Sequence, residues 1–399
     1  MYKKTKYACY IGYVTQAIVN NLAPLLFIVF HTKYNIGFEK LGRLVLFNFC
    51  SQIIIDIIAM KLVDRIGYRV SALIANACST LGLILMSILP LILPPYIGLV
   101  LSISVYAIGG GFFEVIVSPI VENLPTDKKE SNMALLHSFY CWGQAAVILV
   151  STLLLGVIGM DKWTFLPILW ATVPFFNFFL FLKVPIIPPP SGDEVFGVKE
   201  LISTKGFLLF CLMMVCSGAS ELAMSQWASF FAEKGLNLSK TAGDLAGPFM
   251  FAVLMGTGRV FYAWLGMKRN LNIGGVIAVF SSLCAVCYLT AALSPIPLVS
   301  LVACALCGFS VSVMWPGVFS MSAKTYPRGG TAMFAILAIF GDIGAGVSPW
   351  ITGFVSDIVS NKGSAELGIK AGLLACFVFP FVLIIAGIVK AKQKDTIVV

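Results

Sequence analysis

Charge is scarce in this chain. Asp, Glu, Lys and Arg make up 11% of its 399 residues, against roughly 25% in soluble domains. With 59% aliphatic, aromatic and cysteine content, a water-soluble domain would lack the polar surface to cover itself. Histidine occurs twice, and no His, Cys and acidic residues cluster at metal-ligand spacing. No Gly-rich loop ending in Gly-Lys-Ser or Gly-Lys-Thr is present, so ATP-driven chemistry has no motif to rest on. Gly-x-Ser-x-Gly, the mark of one class of nucleophilic hydrolase, is missing as well. Cysteine is present but odd in number, at eleven, and scattered through apolar segments, which gives no disulfide framework. Cys284-x-x-Cys287 and Cys304-x-x-Cys307 superficially match a zinc ribbon, yet no His or charged residue supports them, and small apolar packing is the better reading. These absences point away from an enzyme and leave no cofactor expected.

What the chain does have is twelve long apolar runs, near 7–30, 41–60, 70–92, 96–119, 132–156, 163–182, 205–231, 243–266, 272–293, 296–320, 332–355 and 368–390. A helix needs about 20 such residues to cross a bilayer. The runs are continuous rather than alternating, which selects helices over barrel strands, because lipid requires each backbone group to be paired within its own segment. The fold class is therefore an all-α membrane protein of twelve transmembrane helices. No cleavable signal peptide is expected, since the first run is too long and no small-residue cleavage site follows it.

A polar stretch with Pro185, Pro188, Pro189 and Pro190 divides the runs six and six. The expected organisation is a six-helix bundle over 1–182, a linker over 183–204 that acts as a tether, and a second six-helix bundle over 205–399. Nineteen of the 27 Lys and Arg residues fall on the face that holds both termini and the linker. By the positive-inside rule that face is cytoplasmic. The net charge of +9 then reflects topology and contact with anionic lipid, with no nucleic-acid partner. The halves also echo each other. Gly111-Phe112 is followed by Pro119 eight residues after the glycine, and Gly308-Phe309 by Pro316 at the same distance. Two related bundles of equal orientation imply a pseudo-two-fold axis along the membrane normal.

The loop between the second and third runs, Met60-Lys61-Leu62-Val63-Asp64-Arg65-Ile66-Gly67-Tyr68-Arg69, resembles the signature loop of the major facilitator superfamily at Asp64, Arg65, Gly67 and Arg69. Met60 replaces that motif's first glycine and Tyr68 a basic residue. Gly258-Arg259 resembles the start of the second copy, without its Asp-Arg core. Glu114-Val115-Ile116-Val117-Ser118-Pro119, the run Leu135 to Phe139 with Gly143, and Asn20-Asn21-Leu22 are similar to the fucose permease group within that superfamily. The resemblance implies a gating role for Asp64, Arg65, Gly67, Arg69 and Arg259. It further implies sugar transport with protons, using a span-four glutamate, which Glu114 matches, and a span-one aspartate, in whose place Pro24 stands.

Ionisable groups inside lipid-crossing helices cost at least about 2.5–3.5 kcal/mol and so face a cavity or a partner. Glu114, Glu221, Asp342, Asp56, Arg259 and His137 are the first suspects by this argument. Glu114, Glu221, Asp342 and His137 are candidates for proton coupling. For each, the alternative is a structural hydrogen bond, and for Asp342 a pairing with a group such as Arg259. Gln16 and Asn20 share one face of the first span, with Asn21 on the adjoining face. Asn48, Gln52 and Asp56 repeat at four-residue intervals in the second, and His137, Cys141 and Gln144 line one face of the fifth. Glu221, Gln226 and Trp227 combine an acid, an amide and an indole, which suits a polyhydroxylated ligand. The substrate-binding candidates are accordingly Gln16, Asn20, Asn21, Asn48, Gln52, Glu114, Gln144, Glu221, Gln226 and Trp227, with interhelical glue as the alternative for the amides. The expected protein is a monomeric secondary transporter of a bacterial plasma membrane, with both termini cytoplasmic. It would move a small polar solute, a sugar or sugar derivative, with protons by alternating access. A proton-driven exporter of amphipathic compounds is the runner-up, and a solute receptor or scaffold on the same fold the third reading.

Overall fold

The computed structural model of the chain describes residues 2–125, 129–187, 196–236, 238–268 and 272–393. Twelve helices in it are long and apolar enough to cross a membrane. In chain order these are α1 Lys3–Tyr34, α2 Phe38–Ala59, α3 Arg65–Ile92, α4 Pro95–Glu122, α5 Leu135–Ile158, α6 Phe165–Lys183, α7 Gly206–Gly235, α8 Lys240–Tyr262, α9 Ile273–Leu293, α10 Pro297–Thr325, α11 Ala332–Ser360 and α12 Ala365–Lys392. No strand occurs among the described residues.

Several helices, among them α1, α4, α10, α11 and α12, overrun the apolar runs that predict them, because their ends are finished by polar residues. α1 reaches Tyr34 through His31 and Lys33, after a break at Leu26 just beyond Pro24. Left-handed Asn35, φ 52°, then turns the chain into α2. The outer surface is apolar, with Val157, Phe176, Ile92 and Val279 among the most exposed side chains, as lipid demands. Asn20, Gln52, Asp56, Arg259 and Asp342 are buried. This inside-polar arrangement follows from the cost of presenting such groups to hydrocarbon.

The helices form two six-helix bundles, which meet along two seams, α2 with α11 and α5 with α8. The glycine–proline echo has a packing cause. A Cβ at Gly111 of α4 would lie 3.0 Å from the Gln52 carbonyl oxygen of α2, and one at Gly308 of α10 would lie 2.1 Å from the Phe251 carbonyl oxygen of α8. The same pair of helices within each bundle is thus brought into backbone contact by the same glycine. Gly308→Ala is expected to cost more than the 1–3 kcal/mol of ordinary overpacking, roughly, because a backbone rather than a side chain must move. Gly111→Ala should be the milder of the two. Thermal unfolding and size-exclusion profiles of the purified variants check the order.

The chain between the bundles is anchored at both sides. Thr5 Oγ donates to the Pro185 carbonyl at 2.6 Å, and the Phe196 amide donates to the Arg328 carbonyl at 2.9 Å. A short helix, Val198–Ser203, precedes α7. The proline cluster 188–190 and the polar residues 191–195, expected to serve as the tether, lie outside the described residues.

Candidate functional site

Partway along the helices a cavity of about 50 Å³ opens between the bundles, narrower than the roughly 300–1,000 Å³ of small-molecule sites. From the first bundle α1 contributes Tyr13, Gln16 and Asn20, three residues spaced by one helical turn, and α4 contributes Glu114. His137 and Tyr140 come from α5 and Phe49 from α2. The second bundle supplies Glu221 and Leu222, Arg259, Trp315, and Asp342 with Ala345.

An amide network fixes the first-bundle wall. Gln16 Nε2 donates to Glu114 Oε2 at 3.0 Å and to Gln52 Oε1 at 2.7 Å. Asn20 Oδ1 accepts from Asn48 Nδ2 at 2.9 Å and from Gln52 Nε2 at 3.0 Å. The α2 stripe expected to touch ligand therefore stands one layer back: Asn48 and Gln52 do not line the cavity but hold the α1 residues that do. Tyr13 donates or accepts at Ser118 Oγ, 3.0 Å away.

The second-bundle wall is organised by one guanidinium. Arg259, 4% exposed, reaches Glu221 Oε2 with one amino group at 3.2 Å and donates with the other to the His137 carbonyl at 3.0 Å. It so joins α7, α8 and α5 across the bundle boundary. One expectation changes: Arg259 pairs with Glu221 and not with Asp342, while its side chain lines the cavity. His137 enters the wall with its ring against Tyr13 at 5.0 Å and Phe319 at 6.1 Å.

Several candidates lie elsewhere. Trp227 is fully buried, donates Nε1 to the Pro349 carbonyl at 2.9 Å and packs on Phe27; it has no face on the cavity, so the sugar-stacking role falls away. Trp315 occupies the position that the sequence argument gave to Trp227. Gln226 donates to the Asn20 carbonyl at 3.2 Å. Asn21 donates to the Ala17 carbonyl at 2.9 Å and reaches the Tyr140 hydroxyl at 3.4 Å. Asn21 and Gln226 line a separate small pocket that also includes Pro24. Gln144 is buried and off the cavity. These residues sit on the right helices but the wrong faces or levels.

Near the start of α3, Gly67 takes φ 79° and breaks the helical path, a conformation that favours glycine. Arg69 then donates to the Phe181, Leu182 and Val184 carbonyls at 2.7, 2.7 and 2.8 Å. These are carbonyls at the C-terminus of α6 that lack helical partners, so Arg69 fastens the start of α3 to α6 within its own bundle. Arg65 is exposed, and the side chain of Asp64 lies outside the described residues.

Beyond the cavity, at the end opposite the termini, side-chain ties seal the bundles together. Lys240 of α8 forms a buried ion pair with Asp244 at 2.9 Å and donates to the Leu25 carbonyl of α1 at 3.1 Å. Asp244 also accepts from Thr152 of α5 at 3.0 Å and from Ser229 of α7. Glu39 at the start of α2 donates its amide to Asp357 of α11 at 3.0 Å and accepts from Trp350 Nε1 at 3.3 Å. Sequence reasoning missed this seal, because Lys240 and Asp244 stand at a span boundary where charge is ordinary. Tyr13, Tyr140 and Trp315 were missed too, since an aromatic in a spanning helix carries no energetic penalty that would flag it.

Among solved structures, the E. coli fucose:proton symporter FucP is similar at 19% identity, with 96% of this chain and 99% of that chain covered and a TM-score of 0.68. A D-xylose-proton symporter is similar at 16% identity, with 98% and 97% covered and a TM-score of 0.70. A bacterial homolog of the human lysosomal transporter Spinster, in an inward-facing and occupied conformation, is similar at 13% identity, with 98% and 97% covered and a TM-score of 0.69. At these identities the likeness is one of fold. A search among curated protein sequences returns no match. The family model of the Major Facilitator Superfamily matches residues 9–349, and the chain belongs to that superfamily of membrane transporters.

Proposed function

We propose that this transporter moves a small polar solute, a sugar or sugar derivative, together with protons, through alternating exposure of the central cavity. The observation that carries the reading is a set of unpaired polar atoms on cavity-lining residues. Among the described residues, Gln16 Oε1, Arg259 Nε and Asp342 Oδ2 are buried without a hydrogen-bond partner. An acceptor, a donor and a carboxyl oxygen from three helices around one space suit a ligand with several hydroxyl groups, since each buried polar group left unmade is costly. Trp315 and Phe49 offer apolar faces for the ring carbons. Glu114, tied to Gln16, is the proposed proton carrier.

In this reading the units 1–182 and 205–399 rock against each other as a monomer, and the basic face with both termini is cytoplasmic in a bacterial plasma membrane. FucP and the xylose symporter move fucose and xylose with protons, which supports this solute class. The test is flux in proteoliposomes under an imposed inward proton gradient. A monosaccharide should accumulate above its equilibrium level and collapse to it when the gradient is dissipated. Extrusion of lipophilic cations with no monosaccharide movement would replace this reading with that of an exporter.

A further inference from the structure

One corner of the cavity is shaped by two glycines of α11. A Cβ at Gly341 would collide with the Trp315 indole of α10, and one at Gly346 would lie 3.0 Å from Phe49 Cβ of α2. The two aromatic side chains therefore pack on α11 just before Asp342 and one turn after it. Phe49, Trp315 and Asp342 all line the cavity. Asp342 is 1% exposed, and its Oδ2 receives no hydrogen bond among the described residues. A carboxylate oxygen can only accept, so what completes this corner is a donor. The cavity wall holds three acids, Glu114, Glu221 and Asp342, against one guanidinium. Arg259 commits one amino group to Glu221 at 3.2 Å and the other to the His137 carbonyl at 3.0 Å. Its Nε has no partner, so it does not reach Asp342 either. Glu114 accepts from the neutral amide of Gln16 at 3.0 Å. Among the described residues no Lys or Arg pairs with Asp342. A buried carboxylate without a counter-charge is costly. Beside two aromatic rings its natural complement is an ammonium, which donates to the oxygen and is attracted by the ring faces.

We propose that the solute carries a protonated amine, making it an amino sugar, and that its ammonium docks on Asp342 beside Phe49 and Trp315. This rests on the sugar reading above and narrows it. The ammonium donates to Asp342 Oδ2, and its charge balances the carboxylate. The hydroxyl groups are left for Gln16 Oε1 and Arg259 Nε, the other unpartnered atoms on residues of the wall. A neutral sugar could fill the same hydrogen bonds but would leave the third acid uncompensated. At about 50 Å³ the cavity takes such a solute only as the bundles part, which alternating access provides. Recognition and coupling are then separate duties: Asp342 selects the solute, and Glu114 carries the proton.

The experiment uses sugars matched except at one substituent: D-glucosamine, N-acetyl-D-glucosamine and D-glucose, with the corresponding galactose series beside them. Calorimetry measures the binding of each to the purified protein in lipid nanodiscs at about pH 6, where an amine carries its proton. In at least one series the amine should bind roughly ten- to hundredfold more tightly than its acetamide and its parent sugar, the range of a hydrogen bond to a charged group. In Asp342→Asn that preference should vanish, because the amide has no charge to balance. In Glu114→Gln it should persist, whatever that variant does to accumulation. Neutral sugars bound as tightly as the amines, or an amine preference that survives in Asp342→Asn, overturns the inference and leaves the sugar reading in place. Absence of binding by every member of both series overturns the two together. The ranking in the unsubstituted protein needs no variant, so the inference can fail on it alone.

Discussion

Glu114→Gln should abolish uphill accumulation of solute in proteoliposomes while leaving exchange of labelled for unlabelled solute in place. Glutamine has nearly the shape of glutamate, and its oxygen accepts the hydrogen bond that Gln16 Nε2 now donates at 3.0 Å. The wall of α1 and α4 and the amide network behind it are therefore retained. What disappears is the ability to bind and release a proton, which a carboxyl that is neutral in one facing state and ionised in the other supplies. Accumulation should fall to simple equilibration, whereas exchange, which needs only a cavity that opens to both sides, should proceed at a rate close to that of the parent. Normal accumulation against a gradient by the variant would remove Glu114 from the coupling role.

The second large effect concerns Arg259. Arg259→Met leaves the Glu221 carboxylate buried, at 6% exposure, with its only ion-pair partner among the described residues gone. Breaking one half of a buried pair costs about 3–5 kcal/mol, because the remaining charge is uncompensated. The double variant Arg259→Met with Glu221→Leu should recover most of that loss, since an apolar pair of similar volume removes both charges together. Solute binding should not return in the double variant, because Arg259 and Glu221 both line the cavity. Thermal unfolding of the three proteins, with and without solute, separates the two contributions. Arg259→Lys is expected to resemble the methionine variant more than the parent in binding, for one ammonium cannot span Glu221 and the His137 carbonyl as the guanidinium does.

The layout of the helices is legible in the sequence because lipid leaves few options. Twelve apolar runs become twelve helices, and the matched glycines Gly111 and Gly308 become matched backbone contacts. The ionisable residues of the cavity are legible for a related reason. Glu114, Glu221, Asp342, Arg259 and His137 are too costly to face hydrocarbon, and all five line the same space. Legibility stops at rotation and pairing. Gln226 and Trp227 follow Glu221 by little more than one turn, yet they point to the sealed end, and nothing in the spacing reveals how α7 is turned. Asn48 and Gln52 share the polar stripe of α2 but stop one layer short of the cavity, because α1 passes in front of them. Arg259 could have met Asp342 by composition. Interhelical geometry instead gives it Glu221.

The seal opposite the termini combines a handful of side-chain bonds centred on Asp244 and Glu39 with aromatic contacts between the bundles, Phe27 on Trp227 and Phe38 on Phe230. A hydrogen bond contributes about 0.5–1.5 kcal/mol net, and one to a charged group about 1.5–3. The polar ties by themselves amount to a few kcal/mol. Inverting a two-state population from 1:99 to 99:1 takes about 5.5 kcal/mol of differential affinity. The polar ties and the differential affinity that would open them are thus of comparable size, so one small molecule reverses the balance of those ties if the open form holds it about 10⁴-fold more tightly.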